Sequence, residues 1–98
     1  MNNQIFHVRI LSPQQLILDT EALSVSSKNS QGPFDILASH ANFITLVENS
    51  PITVMVKDQK PLTFKFPIAI ILCQADKVDI YTYVSDAVRK ESSAYVSG

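Results

Sequence analysis

One cysteine, Cys73, is the only thiol in this 98-residue chain, so no disulfide can form within it. Its place in the apolar run of residues 68–73 reads as a small buried hydrophobe rather than a nucleophile, and a reducing compartment fits. Charge is also scarce: Asp, Glu, Lys and Arg make up 17% of the residues and sum to a net charge of -1. Nucleic acid and acidic membranes are bound by clustered Lys and Arg, so this composition speaks against both as partners. No apolar run approaches the roughly 20 residues that span a bilayer; the longest covers residues 66–73. Residues 1–4 lack the basic-then-apolar pattern of a signal peptide. There is no asparagine glycosylation sequon, internal repeat or low-complexity segment. These absences lead us to expect a soluble, cytoplasmic domain.

What the chain does have is hydrophobic substance, 46% of its residues, far above the range of disordered sequences. Its length suits one core and not two. Phe6, Val8 and Ile10 alternate with His7, Arg9 and Leu11 until Pro13 removes a backbone donor, which predicts a first strand. Residues 16–27 read as two short strands, or one bent strand, around a polar interruption at Asp19, Thr20 and Glu21. A serine-rich piece, residues 26–30, leads to a turn at Gly32 and Pro33. Phe34, Ile36 and Leu37 follow, then a loop over residues 38–42 and a β-branched strand over residues 43–47. Ile52, Val54 and Val56 pair through a turn at residues 58–61 with Leu62, Phe64 and Phe66 as a hairpin. A last hairpin joins residues 68–73, apolar on both faces, through residues 75–77 to Val78, Ile80 and Thr82. Beyond Ser85 only a short helical turn through Lys90 is suggested, too short to stand alone. Strands at such intervals, punctuated by five prolines, predict an all-β fold: a two-sheet antiparallel β-sandwich of about eight to ten short strands, residues 1–84, with a tail at 85–98 that is partly helical or disordered.

Four stretches carry a family resemblance. Residues 6–13, FHVRILSP, are similar to the first strand and terminating proline of the N-terminal β-sandwich domain of the F-type ATP synthase epsilon subunit, called delta in mitochondria. Residues 16–27 occupy the place of the family's next two strands. Residues 32–41, GPFDILASHA, resemble its glycine, Ile-Leu, proline and histidine loop, with Ile36, Leu37 and His40 matching. Residues 74–78, QADKV, resemble the turn before the last strand. The chain departs from the pattern at Asp35, where a glycine is usual, at Ala38, where a proline is usual, and at Ile68 and Ala69, where a Gly-Gly pair is common. The helical hairpin that commonly follows in the family has no counterpart in residues 85–98.

The resemblance implies a non-catalytic central-stalk subunit that couples the gamma subunit to the membrane c-ring during ATP synthesis or hydrolysis, with no cofactor and no small-molecule substrate. It would lie peripherally at the cytoplasmic face of the inner or plasma membrane, without inserting. Phe34, Asp35, Ser39, His40 and Asn42 are then the candidates for ring docking, since loops at the end of a sandwich carry contacts while strands scaffold them. Ile71, Tyr81 and Tyr83 are the candidates for the gamma face. Plainer roles stand beside these. His40 reads equally as a loop histidine bonded to nearby backbone, and Tyr81 and Tyr83 as residues closing the sandwich. Asp35, Ser39 and His40 are the residue types of a hydrolytic triad, but nearness in sequence does not supply its geometry, so catalysis is not expected. His7, His40 and Cys73 are too scattered for a metal site. The alternative function is a stand-alone β-sandwich adaptor that has left the rotary complex, suggested by the departures at residues 35, 38, 68 and 69 and by the short tail.

Overall fold

Nine strands account for nearly all regular structure in the computed structural model, which describes residues 4–83. They are β1 Phe6–Leu11, β2 Leu16–Ala22, β3 Ser24–Asn29, β4 Gly32–Leu37, β5 Phe43–Glu48, β6 Pro51–Met55, β7 Leu62–Lys65, β8 Ile68–Gln74 and β9 Lys77–Thr82. Two sheets form, one of five strands in the order β2-β1-β9-β8-β5 and one of four in the order β4-β3-β6-β7. The expected all-β sandwich is therefore the fold.

Alternation at period two sends one side chain of each pair inward and the next outward. Phe6, Val8 and Ile10 of β1, Ala69, Ile71 and Cys73 of β8, and Val78 and Ile80 of β9 line the inner face of the five-stranded sheet. Val25, Ile36, Ile52, Val54 and Phe64 face them from the other sheet. Phe66, stacked on Phe64 with ring centroids 6.2 Å apart, extends that core. Each buried Val, Ile or Phe among them contributes roughly 1.5–3 kcal/mol by leaving water, which is the main stabilisation available to a chain with no cross-link.

Several local expectations are corrected. β1 and β9 run parallel, Val8 beside Val78 and Ile10 beside Ile80, so the larger sheet is mixed while every other pairing is antiparallel. Asp19, Thr20 and Glu21 lie inside β2, and the break falls at Leu23, where the chain leaves one sheet for the other. The serine-rich piece is strand β3: its hydroxyls project from the sheet or satisfy backbone, as Ser27 does by donating to the Pro51 carbonyl at 2.9 Å. The turn after it falls at Ser30 and Gln31, one step before Gly32 and Pro33, which already pair with Asn29 and Lys28. Gly32 has φ of 122°, a value costly for residues with a Cβ, at the point where the hairpin begins its return. The short helical turn and tail expected at residues 85–98 lie outside the described residues.

Candidate functional site

The outer face of the five-stranded sheet divides along the strands into zones of different chemistry. In register across all five strands, Leu46 of β5 pairs Ile70 of β8, Ile70 pairs Tyr81 of β9, Tyr81 pairs Leu11 of β1, and Leu11 pairs Leu16 of β2. This is a continuous apolar row. Ile68 and Tyr83 add to it at the same end, and a shallow cleft of about 230 Å³ opens among Ile68, Ile70, Tyr81 and Tyr83. Ile70 keeps 42% of its surface exposed, Tyr81 43% and Tyr83 61%. A strip of this kind on one face is unusual for a surface that meets only water.

Two residues further along each strand the row changes character: Ile44 and Leu72 are followed by Asp79, Arg9 and Asp19. Arg9 Nε donates to Asp79 Oδ1 at 3.0 Å and Nη2 donates to Oδ2 at 3.2 Å, a two-pronged bond that the flat guanidinium suits. The hydrogen bond to Asp79 and then its charge raise the Arg9 pKa above the usual arginine range. Tyr81 OH reaches Asp79 Oδ2 at 3.5 Å, and His7 bonds Asp19. The next row carries Lys77, His7 and Glu21. One end of the face is thus apolar and the other ionic.

The ionic end is the end at which the loop of residues 38–42 sits. His40 Nδ1 donates to the Leu37 carbonyl at 2.9 Å, and its ring stands edge-on to Phe6 with centroids 5.5 Å apart. The backbone-bonded role foreseen for this histidine is the one observed. Among the described residues its buried Nε2 has no hydrogen-bond partner. Ser39 holds the left-handed backbone conformation, φ 66°, that lets the chain reverse. Asn42 Oδ1 accepts from the Ala75 amide at 3.0 Å, tying this loop to the β8–β9 turn. Ser39, His40 and Asn42 therefore share one end of the sandwich.

Phe34 and Asp35 do not join them, since both belong to β4. Phe34 is half-buried against the core, edge-on to Phe43 with centroids 6.3 Å apart. Asp35 points out from the four-stranded sheet and accepts from Ser26 Oγ at 2.6 Å. Asp35, Ser39 and His40 thus form no triad, and among the described residues no three His, Cys, Asp or Glu side chains are grouped to hold a metal. On the other candidate surface Ile71 is corrected: it is 0% exposed, in the core, and its neighbours Ile68 and Ile70 face outward. A strand apolar on both faces does not announce which side is inner. Leu46, Leu11 and Leu16 were not foreseen as site residues, and no signal within their own strands marks them; only cross-strand register aligns them with Ile70 and Tyr81.

Residues 5–90 match the family model described as the ATP synthase, Delta/Epsilon chain, beta-sandwich domain. The chain belongs to this family. It is 29% identical over 90 residues, 92% of its own length and 69% of the relative's, to the ATP synthase epsilon chain of Sulfurimonas denitrificans. Its fold is similar to a chain in the mitochondrial ATP synthase of Euglena gracilis, a structure of OSCP, F1 and c-ring (TM-score 0.74, 15% identity, 80% of this chain and 50% of that one). It is also similar to a chain in the central stalk and c-ring of the Tetrahymena thermophila mitochondrial enzyme (TM-score 0.68, 13% identity, 85% and 66%). The chain spans about half the length of the Euglena chain and about two thirds of the Tetrahymena one. Delta/epsilon-family membership thus joins a sandwich fold to a face with a long apolar row, and no helix among the described residues is long and apolar enough to cross a membrane.

Proposed function

We propose that this chain is the epsilon-type central-stalk subunit of an F-type ATP synthase, a non-catalytic coupling between a gamma subunit and a ring of membrane c subunits. The observation that carries the reading is the apolar row from Leu46 through Ile70, Tyr81 and Leu11 to Leu16, on a sandwich of the delta/epsilon family. Burying such a row against a partner is favoured at roughly 25 cal/mol per Å² of apolar surface, so it is the natural gamma-facing surface, with Tyr81, Tyr83 and Ile70 at its centre. Ser39, His40 and Asn42 at the loop end are the proposed ring-facing contacts. The two surfaces lie at opposite ends of the same strands, so a load applied at one is carried to the other through sheet hydrogen bonds and a packed core.

In this reading residues 1–84 form the working domain and residues 85–98 its tail. The protein sits peripherally at the cytoplasmic face of an inner or plasma membrane and uses no cofactor. Co-purification with gamma is the test. Binding that survives high salt, as an apolar interface requires, supports the proposal; no gamma binding at micromolar concentration overturns it. For the loop, replacing Ser39 or Asn42 should weaken c-ring association while leaving gamma binding unchanged.

A further inference from the structure

Ile70 and Tyr81 face each other across β8 and β9, as do Ala69 and Thr82, and the same register sets Ile68 opposite Tyr83. Ala69 and Thr82 turn inward, 1% and 6% exposed, while the other four side chains stand outward. Those four mark the corners of a hole, the cleft of about 230 Å³, whose floor is the ladder between the two strands. Its corners lie roughly 6.5–7 Å apart along each strand and roughly 4.5–5.5 Å apart across the pair. Thr82 spends its hydroxyl on the Ile68 carbonyl at 2.7 Å, so the lining is chiefly carbon.

The lean of one ring opens this hole. Residues 79, 81 and 83 share the outer face, and the Tyr81 hydroxyl reaches Asp79 Oδ2 at 3.5 Å. The ring therefore inclines toward the ionic rows and away from Tyr83. Arg9 fixes Asp79 from the neighbouring strand through bonds of 3.0 and 3.2 Å, so the inclination is held from two strands. The cleft is formed before any partner arrives, which spares the cost of ordering it on binding.

We infer that this cleft is a socket for one large apolar side chain of the gamma subunit, a Leu, Met or Phe, which enters between the tyrosines and anchors the contact. This rests on the proposed stalk function. The cleft opens beside the middle of the apolar row, with β5 to one side and β1 and β2 to the other. Anchors of an interface lie at such central places, where neighbouring contacts exclude water. At about 230 Å³ and open above, the cleft falls below the roughly 300–1,000 Å³ of sites that enclose small molecules, so it has room for a side chain and not for a free ligand. A β-branched side chain carries its bulk beside its own backbone and would stop at the rim. Leu, Met and Phe carry theirs at the tip. A charged or amide side chain would exchange water for a carbon lining in which the hydroxyls of Thr82 and Tyr81 are already engaged.

Intermolecular NOEs between the isotope-labelled full chain and the unlabelled gamma subunit of the same organism test this. A single gamma Leu, Met or Phe should show NOEs to the methyl groups of Ile68 and Ile70 and to the rings of Tyr81 and Tyr83. Ile68→Trp, which fills the cleft from an exposed position, should lower gamma affinity at least tenfold while the melting temperature of the free chain stays within a few degrees of wild type. Lys65→Trp, exposed on the other sheet, should leave the affinity within threefold. Gamma binding in which the four residues touch different gamma side chains or a polar one, or in which Ile68→Trp binds as wild type, overturns the socket and leaves the stalk function standing. A concentration-dependent dimer that gives the same NOEs without gamma overturns the choice of occupant. Absence of gamma binding by the wild-type chain removes the stalk function and this inference with it.

Discussion

Arg9 and Asp79 sit side by side on parallel neighbours β1 and β9 and hold each other through two hydrogen bonds, at 3.0 and 3.2 Å, although Asp79 is only 5% exposed. A carboxylate taken so far out of water is tolerable only with a partner. The pair ties together the first and last strands of the sandwich, and through Tyr81 OH it adjoins the apolar row.

Removing the guanidinium leaves the Asp79 carboxylate buried and uncompensated, so Arg9→Ala should lower thermal stability clearly. Arg9→Lys should lower it less, because charge is kept while the fork is lost. Asp79→Asn with Arg9→Gln should recover part of the loss. Thermal melts of the four proteins check the order; equal melting temperatures for Arg9→Ala and wild type would show that Asp79 needs no partner.

Ile70 and Ile71 are adjacent and opposite in role. Ile71→Ala should cost about 2–5 kcal/mol by opening a cavity in the core. Ile70→Ser should change stability by under about 1 kcal/mol, as expected of a surface change, yet weaken gamma binding at least tenfold. Urea denaturation paired with a gamma binding titration separates the two, and an Ile70→Ser chain that binds normally would remove Ile70 from the proposed interface.

Burial pushes the Cys73 thiol from 9.0 up to about 11. Through that interval the unfolded chain has released a proton that the native chain retains, so native stability falls as pH rises. The contribution is complete below pH 9 and lost progressively by about pH 11. Cys73→Ala should show a flatter decline over this window, since the lysines and tyrosines common to both proteins cancel in the comparison. Denaturation curves at several pH values measure it. The native thiol should also react with a maleimide only as fast as the protein opens.

A Cβ at Gly32 would meet no atom within 4 Å, so space does not demand glycine there; φ of 122° does. Gly32→Ala should therefore cost about 1–3 kcal/mol through backbone strain alone, with sheet pairing retained by circular dichroism. A neutral outcome would mean that the hairpin relaxes to another turn.

Much of this was legible in the chain. The β1 alternation of Phe6, Val8 and Ile10 and the hairpin of Ile52 and Val54 with Leu62 and Phe64 show in sequence because one face is apolar and the other polar. β8 concealed its inner face because Ile68 to Leu72 are apolar throughout, so Ile71 passed for a surface residue. Phe34 and Asp35 passed for loop residues because glycine and proline at 32 and 33 resemble a turn, whereas an edge strand tolerates both.

By itself the sequence determined the all-β class, a single core, the likeness to the delta/epsilon family and the loop that holds His40, because these follow from local periodicity and from short motifs. Only the tertiary structure decided that β1 meets β9 in parallel, that Leu46, Ile70, Tyr81, Leu11 and Leu16 form one row, and that β5 ends the order of the larger sheet among the described residues. Those are relations of register between strands far apart in the chain, set by how two sheets bury their common face, and nothing within one strand encodes which residue of another will lie beside it.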